Sequence, residues 1–340
     1  MRVLQAIAGA DHGGAEAFFV RLTLALHRAG IEQRVVIRRN QQRATVLRAG
    51  GLAPVELAFG GRLDLGTRWG LRREIKAFKP DIVLTWMNRA TSFCPRGKFA
   101  HVGRLGGYYD LKYYRRCDHL VGNTEDIRSY LQNAGWAAER VHYLPNFVNG
   151  ELTPPASRSD LFTPASAPLV LALGRLHENK GFDTLIKAMQ YAPDAYLWIA
   201  GDGPLRGPLE DQAERLGVKP RTRFLGWRDD VPALLAAADL FVCASRHEPL
   251  GNVVLEAWAQ GRPVIATDAA GPASLIDHME SGILVPIDDS STMGQAIRYV
   301  LSDAAVGDRL AGNGHAVYQA RFTESQVIQQ YVDFFEKIVS

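Results

Sequence analysis

In SRHEPLGNVVLEAWAQGRPVIATD, residues 245–268, two acids, Glu248 and Glu256, stand on either side of Gly251. Carboxylates form charge-assisted bonds with hydroxyl donors, so two of them along a loop and a helix suit opposite ends of an elongated, hydroxyl-rich ligand such as a sugar derivative. The pair also fits a plainer arrangement, with Glu248 solvated and Glu256 bound to a basic neighbour. Upstream, Gly174 leads into RLHENKGFDTLIKAM, where Arg175 and Lys180 bracket a short loop that opens a helix. Two cations beside free helix amides and the positive end of the macrodipole make an anion site. At about 4 Å and an effective dielectric near 20, each contact between a cation and a phosphate contributes about 4 kcal/mol before desolvation, so a pair could hold a departing diphosphate. Read alone, the stretch also fits a capped helix with solvated basic residues. A third turn, Gly201-Asp202-Gly203-Pro204, passes from strand to helix, and its glycines permit close ligand approach or serve only the turn.

All three positions follow β-type runs. RVLQAIA, QRVVIRR, PVELAF, DIVLTWM, AHVGRL and HLVGN occupy the first half, with helical patterns such as GGAEAFFVRLTLALHRAG and TEDIRSYLQNAG between them. Residues 145–168, rich in Pro, Ser and Thr, break the rhythm and read as a linker. PLVLALGR, AYLWIAG, RFLGW, LFVCAS, PVIATD and GILVPI form a second series. This alternation predicts an α/β protein with two Rossmann-like parallel-sheet domains, whose ligands bind beyond the carboxyl ends of the strands. LFVCAS ends near Ser245, which puts Glu248 at the mouth of the sheet and Glu256 about one turn into the helix that Gly261 closes. In the final helix Val327, Tyr331, Phe334, Phe335 and Ile338 fall at helical spacing, an apolar stripe that must dock.

A length of 340 residues, 47% of them hydrophobic, suffices for two cores and excludes a disordered chain. No apolar run approaches the roughly 18 residues of a membrane-spanning helix. MRVLQAIAGADHGG lacks a secretory core and reads as a first strand, so a cytoplasmic location is expected. Cys94, Cys117 and Cys243 are widely spaced and odd in number, which fits reduced core thiols with neither disulfide nor zinc. The net charge of +3 is unevenly spread: residues 1–150 carry 23 Lys and Arg against 12 Asp and Glu, and the remainder 16 against 24. Unless it is surface drift, the basic half points to an anionic partner: an acidic acceptor, a negatively charged membrane surface or nucleic acid.

Together, Arg175 and Lys180, the Gly201 to Pro204 turn, and Glu248 and Glu256 with seven residues between them resemble the family-four retaining glycosyltransferases of GT-B fold. Gly13 to Glu16, GGAE at the first strand-to-helix turn, is similar to their N-terminal glycine loop. The likeness covers nearly the whole chain. It implies two domains facing across a cleft, with 1–150 on the acceptor side, 151–322 holding a nucleotide-sugar donor, and 323–340 a helix crossing back to the first. It also implies catalytic roles for Arg175 and Lys180 on the donor diphosphate and for Glu248 on hydroxyls of the transferred sugar. Glu256 would bind the ribose, and Gly251, Asn252 and Val253 would offer backbone amides. Gly13, Gly14, Gly174, Gly201, Asp202 and Gly203 would complete the donor site. With no Asp-x-Asp in the chain, no bridging metal is expected, and no cofactor beyond the nucleotide-sugar co-substrate, a UDP-sugar in preference to a GDP-sugar. Two-carboxylate hydrolysis is disfavoured, because Glu248 and Glu256 share one loop-helix unit and do not flank a substrate.

The sequence departs from the family pattern in two places. Pro249 and Leu250 follow Glu248 where Gly-Phe is common, and the usual loop histidine has no counterpart in HVGRLGGYYDLKYYRR. There His101 falls within the strand, while Arg104, Gly106 and Gly107 occupy the loop. His12 and His247 are alternatives by position, each more usual as a surface or packing histidine. Tyr108, Lys112, Arg115 and Arg116 interleave aromatic and basic character; with Glu16 and the basic run Arg34 to Arg48 they are expected near the acceptor side, gripping a glycan or lipid-linked acceptor or an anionic membrane at the inner face of the cytoplasmic membrane. A buried aromatic helix is the alternative, and nucleic acid is not expected. The activity expected is retaining sugar transfer in cell-surface polysaccharide or lipopolysaccharide synthesis. Its rivals are a nucleotide-sugar epimerase or hydrolase of the same fold and a non-catalytic nucleotide-sugar-binding subunit.

Overall fold

The structure is a computed structural model and describes residues 1–11, 13–61 and 63–339. The chain divides into two compact units, Met1–Asn146 with the segment from Glu324 onward, and Phe147–Thr323.

In the first unit the described strands are β1 (Arg2–Ile7), β2 (Glu32–Arg38), β3 (Val55–Leu57), β4 (Ile82–Trp86), β5 (Ala100–Leu105), β6 (His119–Gly122) and β7 (Val141–Tyr143). All pair in parallel, in the order β3-β2-β1-β4-β5-β6-β7. Every residue of β4 is buried, as expected where crossover helices cover both faces of a parallel sheet. The sequence did not announce β7, because three residues, VHY, are too few for a periodicity to show. The helix Glu324–Val339 belongs to this unit and buries Val327, Tyr331, Phe334 and Phe335. Phe334 packs on the His142 ring at 4.5 Å, and Glu324 meets Arg28 at 2.6 Å.

The second unit contains β8 (Leu169–Leu173), β9 (Tyr196–Ala200), β10 (Thr222–Gly226), β11 (Leu240–Cys243), β12 (Val264–Thr267) and β13 (Ile283–Val285), parallel in the order β10-β9-β8-β11-β12-β13. Side chains alternate across β8: Leu169, Leu171 and Leu173 join Trp198, Trp258 and Tyr318 on one face. Val170 and Ala172 join Leu185, Ile186 and Ile297 on the other, so two cores sandwich the sheet. The stretch read as a linker is bound down. Arg158 donates to Ala237 O through Nε at 3.0 Å and to Asp239 through Nη2 at 2.8 Å, and Thr163 Oγ1 accepts from Trp198 Nε1 at 2.8 Å.

Because β9 and β11 lie on opposite sides of β8, successive connections diverge there and leave a crevice at the carboxyl ends of β8 and β11. In the first unit the corresponding point lies between β1 and β4. Among the described residues no helix is long and apolar enough to cross a membrane.

Candidate functional site

Three loops leave the carboxyl ends of adjacent strands in the second unit: 174–181 after β8, 201–205 after β9, and 244–251 after β11. The first two touch through their backbones, with Gly174 N donating to Ala200 O and Leu176 N to Asp202 O, both at 3.0 Å. Gly201 has φ +147°, and a Cβ there would lie 1.9 Å from Gly174 O, so no larger residue fits. Asp202 closes its turn by accepting from Gly203 N at 2.8 Å. The third loop is stitched to the first: Asn179 O accepts from Arg246 N at 2.8 Å and from His247 N at 3.2 Å. A Cβ on Gly181, φ +59°, would lie 2.0 Å from Ala244 O.

These close approaches bring together two side chains 68 residues apart. Lys180 Nζ lies 2.5 Å from Glu248 Oε2, with the side chains only 23% and 13% exposed. An ammonium has three donors, so two remain for other acceptors. Glu248 Oε1 accepts from Gly251 N at 3.4 Å, holding the carboxylate over the start of the helix Asn252–Ala259. On that helix Asn252, Val253 and Glu256 are half-buried, while Val254, Leu255, Ala257 and Trp258 are buried. Asn252 and Glu256, four residues apart, share one face. Arg175 is exposed and has no side-chain partner among the described residues. The arrangement offers cations for an anion, a carboxylate for hydroxyls, and a bare glycine backbone between them.

The first unit places its candidates differently from one another. Gly13 and Gly14 stand at the start of the helix Gly14–Arg28. Glu16 is buried and turned onto its own loop, accepting from Ala10 N at 2.7 Å. Arg43, expected on a basic surface, is also buried and donates to Ala10 O at 2.6 Å; burial lowers its pKa, against the opposing pull of Glu16 and Asp11. Arg104 is not a loop residue. β5 runs one residue beyond it, pairing Arg104 with Trp86 and Val121 inside the sheet. Its guanidinium donates to Tyr331 Oη at 2.8 Å and Asn146 Oδ1 at 2.5 Å, and lies 4.4 Å from the Trp86 ring centroid.

Gly106 and Gly107 do follow the strand, and the exposed Tyr108 bonds the Asp126 carboxylate. Lys112 pairs with Asp110. Arg116 is exposed but at the other end of the sheet, because a connection between parallel β5 and β6 must return to the amino edge. There Arg115, Arg116 and Arg140 line one cavity of about 350 Å³.

His101 is buried in β5 against Thr85 Oγ1 at 2.9 Å, and burial pushes its pKa down to about 4, so it stays neutral. His247 is exposed on the β11 loop; His12 lies outside the described residues. The three cysteines are free and buried. No cluster of three metal-ligating side chains occurs among the described residues. One residue at this site was passed over in sequence: Arg246, whose partners Asp183, in the first turn of the helix Phe182–Ala188, and Asp288, in the turn after β13, are connected to it by no spacing rule.

Two parallel-sheet units, each with a switch point between diverging strands, define the GT-B architecture, and solved structures of that class superpose on the chain. HepE of Anabaena, crystallised with UDP, matches with a TM-score of 0.87 at 22% identity, over 99% of this chain and all of that one. The family model described as Glycosyltransferase Family 4 matches residues 12–152, and Glycosyl transferases group 1 matches residues 167–303. Two lipopolysaccharide core biosynthesis glycosyltransferases of Rhizobium meliloti align over almost their whole length. LpsE is 39% identical over 98% of each chain, and LpsD 36% identical over 100% of this chain and 99% of its own. The chain therefore belongs to the family-four glycosyltransferases.

Proposed function

We propose that the chain moves a sugar from a nucleoside-diphosphate donor, UDP in preference to GDP, to a glycan or lipid-linked acceptor in lipopolysaccharide core synthesis, with retained anomeric configuration and no metal. The observation that carries the donor site is the Lys180 to Glu248 contact at the switch point of the second sheet. In this reading Lys180 keeps one donor on Glu248 and turns the others, with Arg175, toward the diphosphate. As the anomeric C–O bond breaks, charge accumulates on the departing phosphate oxygen and meets these preplaced cations. Glu248, held on its other oxygen by Gly251, accepts from sugar hydroxyls, and Glu256 faces the ribose. The acceptor hydroxyl then bonds the anomeric carbon on the face the diphosphate left, its proton passing to the departing phosphate oxygen that took the C–O electron pair.

LpsD and LpsE, similar along the whole chain, support the lipopolysaccharide role by their names. HepE, whose structures hold UDP and UDP-glucose, supports the choice of uracil nucleotide. The lack of an Asp-x-Asp sequence supports metal independence. A screen of nucleotide sugars by thermal shift, followed by transfer assays with labelled donor in excess EDTA, tests the reading. A stabilising donor, transfer in EDTA, and an unchanged anomeric coupling constant in the product are expected. Release of free sugar with no acceptor dependence would instead make the chain a donor hydrolase.

A further inference from the structure

Arg246 stands two residues before Glu248, and its guanidinium is bonded to three other segments. Nε donates to Asp288 Oδ1 and Nη2 to Asp183 Oδ2, each at 2.7 Å. Nη2 also reaches Thr184 Oγ1 at 3.3 Å, and Nη1 reaches Glu178 O at 2.7 Å. Thr184 Oγ1 in turn donates to Asp288 Oδ1 at 2.9 Å. Asp288 sits at a left-handed φ of +62° just after β13, a conformation its anchored carboxylate helps hold. Bonds to Asp183 and Asp288 raise the Arg246 pKa above its ordinary range, and Arg246 holds Asp288 below its own. With these donors engaged by protein, the fork has little left to offer a ligand.

What the fork does instead follows from where its partners lie. Glu178 precedes Lys180 by two residues, Asp183 follows it by three, and Glu248 lies two beyond Arg246. A lysine and a glutamate, each with several free torsions, keep one geometry only if their backbones are fixed. Resting on the donor-site reading above, we infer that Arg246 is the positioning residue of this site. By bridging the loops after β8, β11 and β13 it sets the approach of Lys180 to Glu248, and thereby the grip on the donor diphosphate.

The test is a double-mutant cycle on the full chain. Calorimetric titration uses whichever of UDP, GDP or ADP the wild type binds most tightly, and donor KM and kcat are measured alongside. Arg246→Lys keeps the charge but loses the planar fork. Its nucleotide affinity is expected to fall about tenfold, with the kinetic loss mainly in KM, and the same substitution is expected to cost almost nothing in a Lys180→Ala background. Equal losses in both backgrounds, or wild-type affinity in Arg246→Lys, overturn the positioning role while leaving the donor site standing. Nucleotide affinity unchanged by Lys180→Ala alone, or no nucleotide bound by the wild type, overturns the donor site and the inference with it. If Arg246→Lys fails to fold by circular dichroism, Asp288→Asn removes one arm of the fork and takes its place in the same cycle: a loss that vanishes in the Lys180→Ala background upholds the positioning role, and an equal loss in both backgrounds overturns it.

Discussion

Lys180 and Glu248 share one contact but are expected to fail differently. Lys180→Ala removes a cation that meets charge developing in the transition state, and turnover is expected to fall by roughly 100-fold or more. Glu248→Gln keeps the shape of the side chain and weakens its hydroxyl bonds, so the loss is expected to be smaller and shared between kcat and the donor KM. Circular dichroism should match the wild type in both, and wild-type turnover in both would reject the donor-site assignment. Gly201→Ala is expected to be worse than either, since its Cβ would meet Gly174 O at 1.9 Å in a backbone conformation that alanine avoids. A lower midpoint in thermal melts together with lost nucleotide binding is the expected outcome. Lys180 and Glu248 were legible in sequence because each follows a β-type run, and open parallel sheets bind ligands there. Arg246 was not legible, because its meaning lies in partners 42 and 63 residues away. Arg104 was misread by the smallest margin available: β5 continues to Leu105, and that single residue separates a loop cation from a buried one.

At the scale of elements, twelve of the described strands were announced by short apolar runs between turn signals, while β7 and the bound course of 147–168 depended on tertiary contacts that no local pattern carries. Parallel pairing also explains why Arg116 lies apart from Gly106 and Gly107 despite their closeness in sequence. The terminal helix supplies two predictions. Tyr331→Phe leaves the Arg104 Nε–H without its acceptor in a buried setting, which is expected to cost about 1–3 kcal/mol. Denaturant titration measures the cost, and hydrogen exchange along 324–339 should quicken.

Under the same helix, His119 Nδ1 and His142 Nε2 lie 3.1 Å apart, with Phe334 on both rings. Asp118, Arg140 and Lys337 are the charges that act on the pair. Burial lowers both pKa values, that of His142 from 6.5 to about 4. Between those values the unfolded chain binds more protons than the folded one, so this stability is complete above pH 6.5 and drains as the pH falls toward 4. His142→Asn should flatten that slope in denaturant titrations run across the window; an unchanged slope would remove the pair from the pH response.

For the molecule as a whole, each unit has its own sheet and its own core. A nucleotide bound only by the second unit is expected to raise that unit's unfolding transition, by about 2.7 kcal/mol at 100 times the dissociation constant. Scanning calorimetry with and without UDP reads this directly. A rise confined to the first unit's transition would contradict a donor site on the β8, β9 and β11 loops. Tyr331 follows Arg104 by 227 residues, with the whole second unit encoded in between. At about 5–20 residues per second, a ribosome therefore needs roughly 10–40 s after finishing the first sheet before that sheet's covering helix exists. Throughout that interval the nascent sheet carries a guanidinium that has Asn146 but lacks its second acceptor, Tyr331, and two imidazoles that Phe334 has yet to cover. A premature stop codon anywhere in the second unit would leave it so permanently, damaging a unit whose own strands had all been translated.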